Sequence, residues 1–218
     1  MAQSPKSGLA LVIKISSEKI QEEEIRLISN ILRQGAVIAY PTDTFYGLGA
    51  NVFSRQALER IHRIKKRQAS KPMPVLVSDL EMAKSLIAEI PSLFGPSTEK
   101  FWPGPLTLVI KAAAGLPAEL VGAKRTIGIR LPNVTWLRDL IHRAGFPIVA
   151  TSANISGAGE IDSAEEVIRQ FKEKVDLIAD AGRTPGGRPS TVLDLTGKRP
   201  VILREGAIPK AEIQRLLF

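Results

Sequence analysis

The chain has 218 residues, no cysteine, two histidines and a formal net charge of +8. Without cysteine there are no disulfides and no Cys-based zinc sites, so the fold must stand on its apolar core, and the length suits one substantial α/β domain. The positive charge points to an anionic ligand, whether nucleotide, nucleic acid or membrane surface, without choosing between them.

Residues 1–8 are polar. The apolar run 9–13 is too short, and too charged at its flanks, for a signal peptide or a membrane span, so the expected compartment is the cytoplasm. Residues 9–15, rich in β-branched side chains, are predicted as a strand. A helix follows, capped by Ser17, with acids at Glu18 and Glu22 to Glu24 in its first half. Its apolar face is Ile20, Leu27, Ile28, Ile31 and Leu32, and Gly35 ends it. Residues 36–39 read as a short buried strand opening into the hydroxyl- and glycine-rich stretch 40–50. Residues 54–66 read as a helix. From Arg55 to Lys71 there are seven Lys or Arg and one acid, Glu59. Such a run is either a solvated helix end favoured by the helix dipole or a place where phosphate is held; a solvated face usually alternates signs.

Residues 74–77 are the next predicted strand. Ser78-Asp79-Leu80-Glu81 and Ser163-Ala164-Glu165-Glu166 are capping-box patterns that open helices. Trp102-Pro103-Gly104-Pro105 is a rigid turn into strand 106–110, and strand 126–130 is stopped by Pro132. Residues 136–143 should be helical. Residues 147–150 form a strand running into Thr151-Ser152-Ala153-Asn154-Ile155-Ser156-Gly157, and 175–179 form another. A loop rich in Gly, Pro and Arg, 181–190, precedes strands 191–195 and 201–204, and a short helix closes the chain. The last two strands lie too close together for a helical crossover, so they require antiparallel pairing. The expected fold is α/β, a twisted mixed parallel/antiparallel sheet with flanking helices in a single domain over residues 1–218.

The familiar nucleotide and hydrolase signatures, from the G-x-x-x-x-G-K-[ST] phosphate loop to G-x-S-x-G, do not occur. His62 and His142 sit in basic helical surroundings far apart in sequence and receive no catalytic role. What remains is a set of strand-end loops bearing hydroxyls and cations: Thr42 and Thr44, then 65–71, Arg130, 151–156, Ser190 and Thr191, and Arg204. If these ends converge they line one cleft, and their donors suit phosphate and carboxylate oxygens.

In this order the motifs resemble the YrdC-like family of threonylcarbamoyl-adenylate synthases. The residues that carry the resemblance are Tyr40-Pro41-Thr42-Asp43-Thr44-Phe45-Tyr46-Gly47-Leu48, Lys65-Lys66-Arg67 with Lys71-Pro72, Trp102-Pro103-Gly104-Pro105-Leu106-Thr107, Arg130-Leu131-Pro132, 151–157, Ser190-Thr191-Val192 and Leu203-Arg204-Glu205-Gly206. They span about 25–208. Gln68 stands where the family often has proline. The chain also stops soon after Arg204, so the additional C-terminal domain of longer family members is expected to be missing.

The resemblance implies a nucleotidyltransferase that forms threonylcarbamoyl-AMP and pyrophosphate from L-threonine, bicarbonate and ATP. A downstream threonylcarbamoyl-transferase then uses the product in tRNA modification. It implies Lys65, Arg67 and Lys71 at the ATP phosphates, with Thr126, Ser152, Asn154 and Arg204 also toward the nucleotide, and Thr44, Arg130 and Ser190 at threonine. No side chain is assigned as acid or base. Lys65 and Arg67 stabilise charge, because a carbamate already carries its nucleophilic oxygen. Mg²⁺ is expected to ride on the phosphates, with no protein ligand named. The rival reading is a module for duplex RNA or ribosome assembly. The stretch from Arg55 to Lys71 has no aromatic residue on which single-stranded bases could stack.

Overall fold

A computed structural model describes residues 8–16, 20–66, 73–155 and 159–217. In chain order these form β1 (Leu11–Lys14), α1 (Glu22–Arg33), β2 (Ile38–Pro41), β3 (Tyr46–Gly49), α2 (Arg55–Lys65), β4 (Val75–Leu76) and α3 (Leu80–Ser85). Next come α4 (Phe94–Phe101), β5 (Leu106–Lys111), α5 (Ala118–Val121), β6 (Thr126–Arg130), α6 (Thr135–Ala144), β7 (Ile148–Val149) and β8 (Thr151–Ser152). The chain continues through α7 (Ala164–Phe171), β9 (Leu177–Asp180), β10 (Thr191–Asp194), β11 (Val201–Arg204) and α8 (Lys210–Leu217).

The mixed pairing expected from the sequence is present, and the strands divide between two sheets. One has the order β1-β9-β2-β3-β8 and the other β11-β10-β5-β6-β4-β7. β10 and β11 are antiparallel, as their short connection demands, while β10 runs parallel to β5 and β5 antiparallel to β6. The six-stranded sheet sorts its side chains by the two-residue period of a strand. Leu106, Leu108, Ile110, Ile127, Ile129 and Leu193 enter one large core, whereas Thr107, Val109, Thr126, Gly128, Arg130 and Val192 face a cavity. A second core, under α1 and α6, takes Ile38, Tyr40, Leu177 and Ala179 from the five-stranded sheet.

Several local expectations shift. Residues 46–49, read as part of a loop, form β3, which pairs antiparallel with β2 in a hairpin. Its glycines disguise it. A Cβ on Gly49 would lie 2.5 Å from Cε1 of Tyr40, so the buried tyrosine ring of the neighbouring strand occupies the space a side chain would need. Helix α1 starts later than expected, with Gln21 at its N-cap and the Glu24 carboxylate accepting the Gln21 N–H at 2.8 Å; Ser17 lies outside the described residues. Its buried stripe is Ile25, Ile28 and Leu32, and Leu27 is exposed. At α3 the cap is Asp79, which accepts from Met82 N at 2.8 Å, because Ser78 donates instead to the Asp79 carboxylate. Ser163 caps α7 as its sequence pattern predicts. The short helices α4 and α5 have no counterpart in the sequence reading.

Candidate active site

The cavity encloses about 420 Å³, within the roughly 300–1,000 Å³ typical of small-molecule sites. Among the described residues, three pieces of chain contribute to it beside the Thr151–Ser152 strand end and Glu160. The first is the β2–β3 turn. The Thr42 hydroxyl accepts from Thr44 N at 3.1 Å and Phe45 N at 3.2 Å and donates to Phe45 O at 2.7 Å. This threonine thus closes the turn on itself. Thr42, Thr44 and Phe45 line the cavity.

The second piece is the polar face of the six-stranded sheet. Arg130 ends β6 and is 7% exposed. It donates through Nε to Gly104 O at 3.0 Å and through Nη2 to Asp43 Oδ1 at 2.5 Å. Gly104 is itself fixed, its N–H donating to Leu131 O at 2.9 Å. Gly128, two residues before Arg130, faces Pro74 Cβ and Thr107 Cγ2, each 3.3 Å from where a Cβ would stand, and so keeps the cavity floor open.

The third piece is the pair of motifs around Ser190 and Arg204. Arg204 donates to Ser190 O from Nε (3.1 Å) and Nη2 (2.9 Å), and Nη2 also reaches Ser190 Oγ at 3.1 Å. Ser190 Oγ also shares a 2.9 Å hydrogen bond with Thr107 Oγ1. Behind it Thr191, fully buried, accepts from Gly206 N and Ile208 N and donates to Ile208 O. Removal from water pulls the Arg204 pKa below the usual arginine value; the Glu160 carboxylate raises it and the nearby Arg130 charge lowers it further. It stays cationic at neutral pH. Among the described residues Arg130, Arg204 and the Glu160 carboxylate line the cavity, and Asp43 is paired with Arg130 behind its wall.

Of the residues expected at the site, Thr44, Thr126, Arg130, Ser152, Ser190 and Arg204 line this one cavity. Lys65 and Asn154 do not. Lys65 is 3% exposed, and its ammonium donates to Ser152 O (2.6 Å), Asn154 O (2.9 Å) and Asn154 Oδ1 (2.8 Å). Ser152 Oγ donates to the same Asn154 Oδ1 at 2.7 Å. The lysine therefore shapes the strand end that presents Ser152. Arg67 and Lys71 lie outside the described residues. Neither histidine approaches the cavity lining: His62 is buried with Nε2 3.1 Å from Glu119 O, and His142 is exposed. Among the described residues no group of three or more His, Asp or Glu stands together as a metal site.

Sequence reasoning missed Asp43 and Thr107, although both lie inside motifs singled out there. Their partners, Arg130 and Ser190, are 87 and 83 residues away, and no local signal spans that distance.

A protein of Pyrococcus abyssi, called threonylcarbamoyl-AMP synthase, is 38% identical over 96% of this chain and 61% of its own length. The solved structure of P. abyssi Sua5 complexed with L-threonine superposes with a TM-score of 0.91 at 38% identity, over 95% of this chain and 61% of that one. Escherichia coli YciO superposes with a TM-score of 0.84 at 30% identity, over 91% of this chain and 97% of its own. The chain thus spans only about three-fifths of the first curated relatives it matches, 61% and 57% of their lengths. The family model for Sua5, YciO and YrdC, described as telomere recombination, matches residues 30–206, so the chain belongs to the Sua5–YciO–YrdC family.

Proposed function

We propose that this chain is a threonylcarbamoyl-AMP synthase that uses L-threonine, bicarbonate and ATP and releases pyrophosphate. The observation that carries the reading is Arg130. Its Nε and Nη2 are held by Gly104 and Asp43, while Nη1 has no hydrogen-bond partner among the described residues and the side chain lines the cavity. A carboxylate is the natural ligand for that remaining edge. The hydroxyls of Thr44 and Ser190, both buried on the cavity wall, would pair with the amine or hydroxyl of threonine. That a 38%-identical relative was solved with L-threonine supports the assignment.

The reaction then needs little from side-chain bases. The threonine nitrogen forms a bond to the bicarbonate carbon with loss of water. An oxygen of the resulting carbamate attacks the α-phosphorus of ATP, and the bond to the β-phosphoryl oxygen breaks to release pyrophosphate. Threonine carboxylate, carbamate and triphosphate repel one another in water, so the protein's part is to hold them together among fixed cations. Arg204, Ser152 and Thr126 would take the nucleotide side, with Arg67 and Lys71 at the phosphates on the strength of the motif. Mg²⁺ would enter on the phosphate oxygens, keeping most of its waters. Among the described residues that line the cavity, Glu160 would be the carboxylate available to such an ion. Lys65 would act by holding Ser152 and Asn154. The product, an activated adenylate, calls for an acceptor enzyme acting on tRNA, and the working compartment would be the cytoplasm. No helix among the described residues is long and apolar enough to cross a membrane.

The test is pyrophosphate release with Mg²⁺ and ATP, with threonine or bicarbonate omitted in turn. Release should require both, and a threonylcarbamoyl adenylate should be found by mass spectrometry. Release that is indifferent to threonine would sink the assignment. Duplex RNA binding by a protein that ignores ATP and threonine would replace it with the binding module considered above.

A further inference from the structure

We propose that Asp43 is a positioning residue whose carboxylate holds the Arg130 guanidinium in the orientation that receives a substrate carboxylate. The inference rests on the reading of Arg130 given above and adds the group that makes it work. Asp43 is placed between two cavity-lining threonines, Thr42 and Thr44, yet is not itself on the cavity wall. It reaches Arg130 at 2.5 Å, with side-chain exposures of 18% for the aspartate and 9% for the arginine, so water and salt screen the pair only weakly.

Geometry explains why one carboxylate suffices. The guanidinium is a rigid plane, and fixing two of its nitrogens fixes the third. Gly104 O takes Nε from one side and Asp43 takes Nη2 from another. Both anchors are stiff: Gly104 is tied to Leu131, and the turn that carries Asp43 is closed by the Thr42 hydroxyl. Asp43 comes from the hairpin of the five-stranded sheet and Arg130 from β6 of the six-stranded sheet, so the ion pair also spans the two walls of the cavity. Without Asp43 the long arginine side chain would regain its rotamers and stand uncompensated beside Arg204. A substrate carboxylate would then have to order it at each binding event.

Asp43 differs from a mere structural tie in acting only through Arg130, and a double-mutant cycle reads that difference. L-threonine and ATP affinities would be measured separately by calorimetry for wild type, Asp43→Ala, Asp43→Asn, Arg130→Ala and the Asp43→Ala/Arg130→Ala double variant. Asp43→Ala should weaken threonine about tenfold and ATP less than about twofold. Asp43→Asn should recover most of the loss, since its amide oxygen still accepts from Nη2. In the Arg130→Ala background the Asp43 change should add nothing to the loss of threonine affinity. If Asp43→Ala does not fold, Asp43→Ser, which suits the same turn, takes its place in the cycle. Wild-type threonine affinity in the Asp43 variant, or a full additional loss in the Arg130→Ala background, would overturn the proposal. Undiminished threonine binding by Arg130→Ala alone would instead remove the underlying reading of the cavity.

Discussion

Lys65 sits in the run Lys65-Lys66-Arg67, whose composition alone reads as three cations facing water or phosphate. Folding separates the first two. Lys66 is exposed in a left-handed conformation (φ 48°) that ends α2, while Lys65 turns inward and spends its ammonium on three oxygens of the Ser152–Asn154 turn. A buried cation is tolerated only when its desolvation is offset by such bonds. Lys65→Met is therefore expected to lower the stability of the ligand-free protein by about 1–3 kcal/mol, read from the midpoint of denaturant unfolding. Lys66→Met should change it by less than about 0.5 kcal/mol. If Lys65→Met unfolds like the wild type and merely loses ATP binding, the lysine is a phosphate contact and its role in shaping the turn is wrong.

Between elements, the segment after β11 crosses the start of β10 so closely that only glycine fits. A Cβ on Gly206 would lie 2.1 Å from Pro189 O and 2.6 Å from Ser190 C, while Gly206 N–H is held by the Thr191 hydroxyl at 3.0 Å. This crossing fixes the distance between Ser190 and Arg204 and hence one wall of the cavity. Gly206→Ala should cost on the order of 1–3 kcal/mol, since backbone rather than a flexible side chain must give way. Threonine affinity should fall with it. Gly95→Ala, in helix α4 where an added Cβ meets nothing within 4 Å, is the matched control and should be neutral or slightly stabilising. Equal denaturant midpoints for the two variants would show that the crossing has slack.

For the whole molecule, the buried phenols of Tyr40 and Tyr46 bear on stability at alkaline pH. Burial pushes the Tyr46 pKa up to about 12, the Ala181 N–H bonded to its oxygen lowers it somewhat, and the Asp180 charge raises it. Tyr40, wholly buried, is raised for the same first reason, with Arg130 opposing. A raised folded-state value means that the unfolded chain releases its proton first, from about pH 10. The stabilisation is complete below that pH and is lost as pH rises through about 12. Melting temperature should therefore fall with rising pH above about 10. Tyr46→Phe should melt lower at neutral pH, having lost the hydroxyl's bonds to Gly182 O and Ala181 N, but with a shallower alkaline slope. An unchanged slope would clear Tyr46 as a contributor.

Strand β6 shows how far the sequence by itself reaches. Its limits, Thr126–Arg130, coincide with the sequence reading, because alternation and the proline that follows are local properties. The antiparallel β10–β11 pair follows equally from a short connection, and of the hydroxyl- and cation-bearing loops singled out in the chain, Thr42, Thr44, Arg130, Ser152, Ser190 and Arg204 line one cavity while Lys65 and Asn154 do not. Strand β3 was hidden because its glycines answer to Tyr40 across the hairpin and not to any pattern of their own. The inward turn of Lys65, the Asp43–Arg130 pair and the Thr107–Ser190 bond depend on partners 83 to 89 residues distant. The residue types a cavity of this chemistry needs are written in the chain. Which of them face the ligand and which hold their neighbours is decided by two sheets meeting, since only tertiary packing determines where a charged side chain finds its nearest counter-charge.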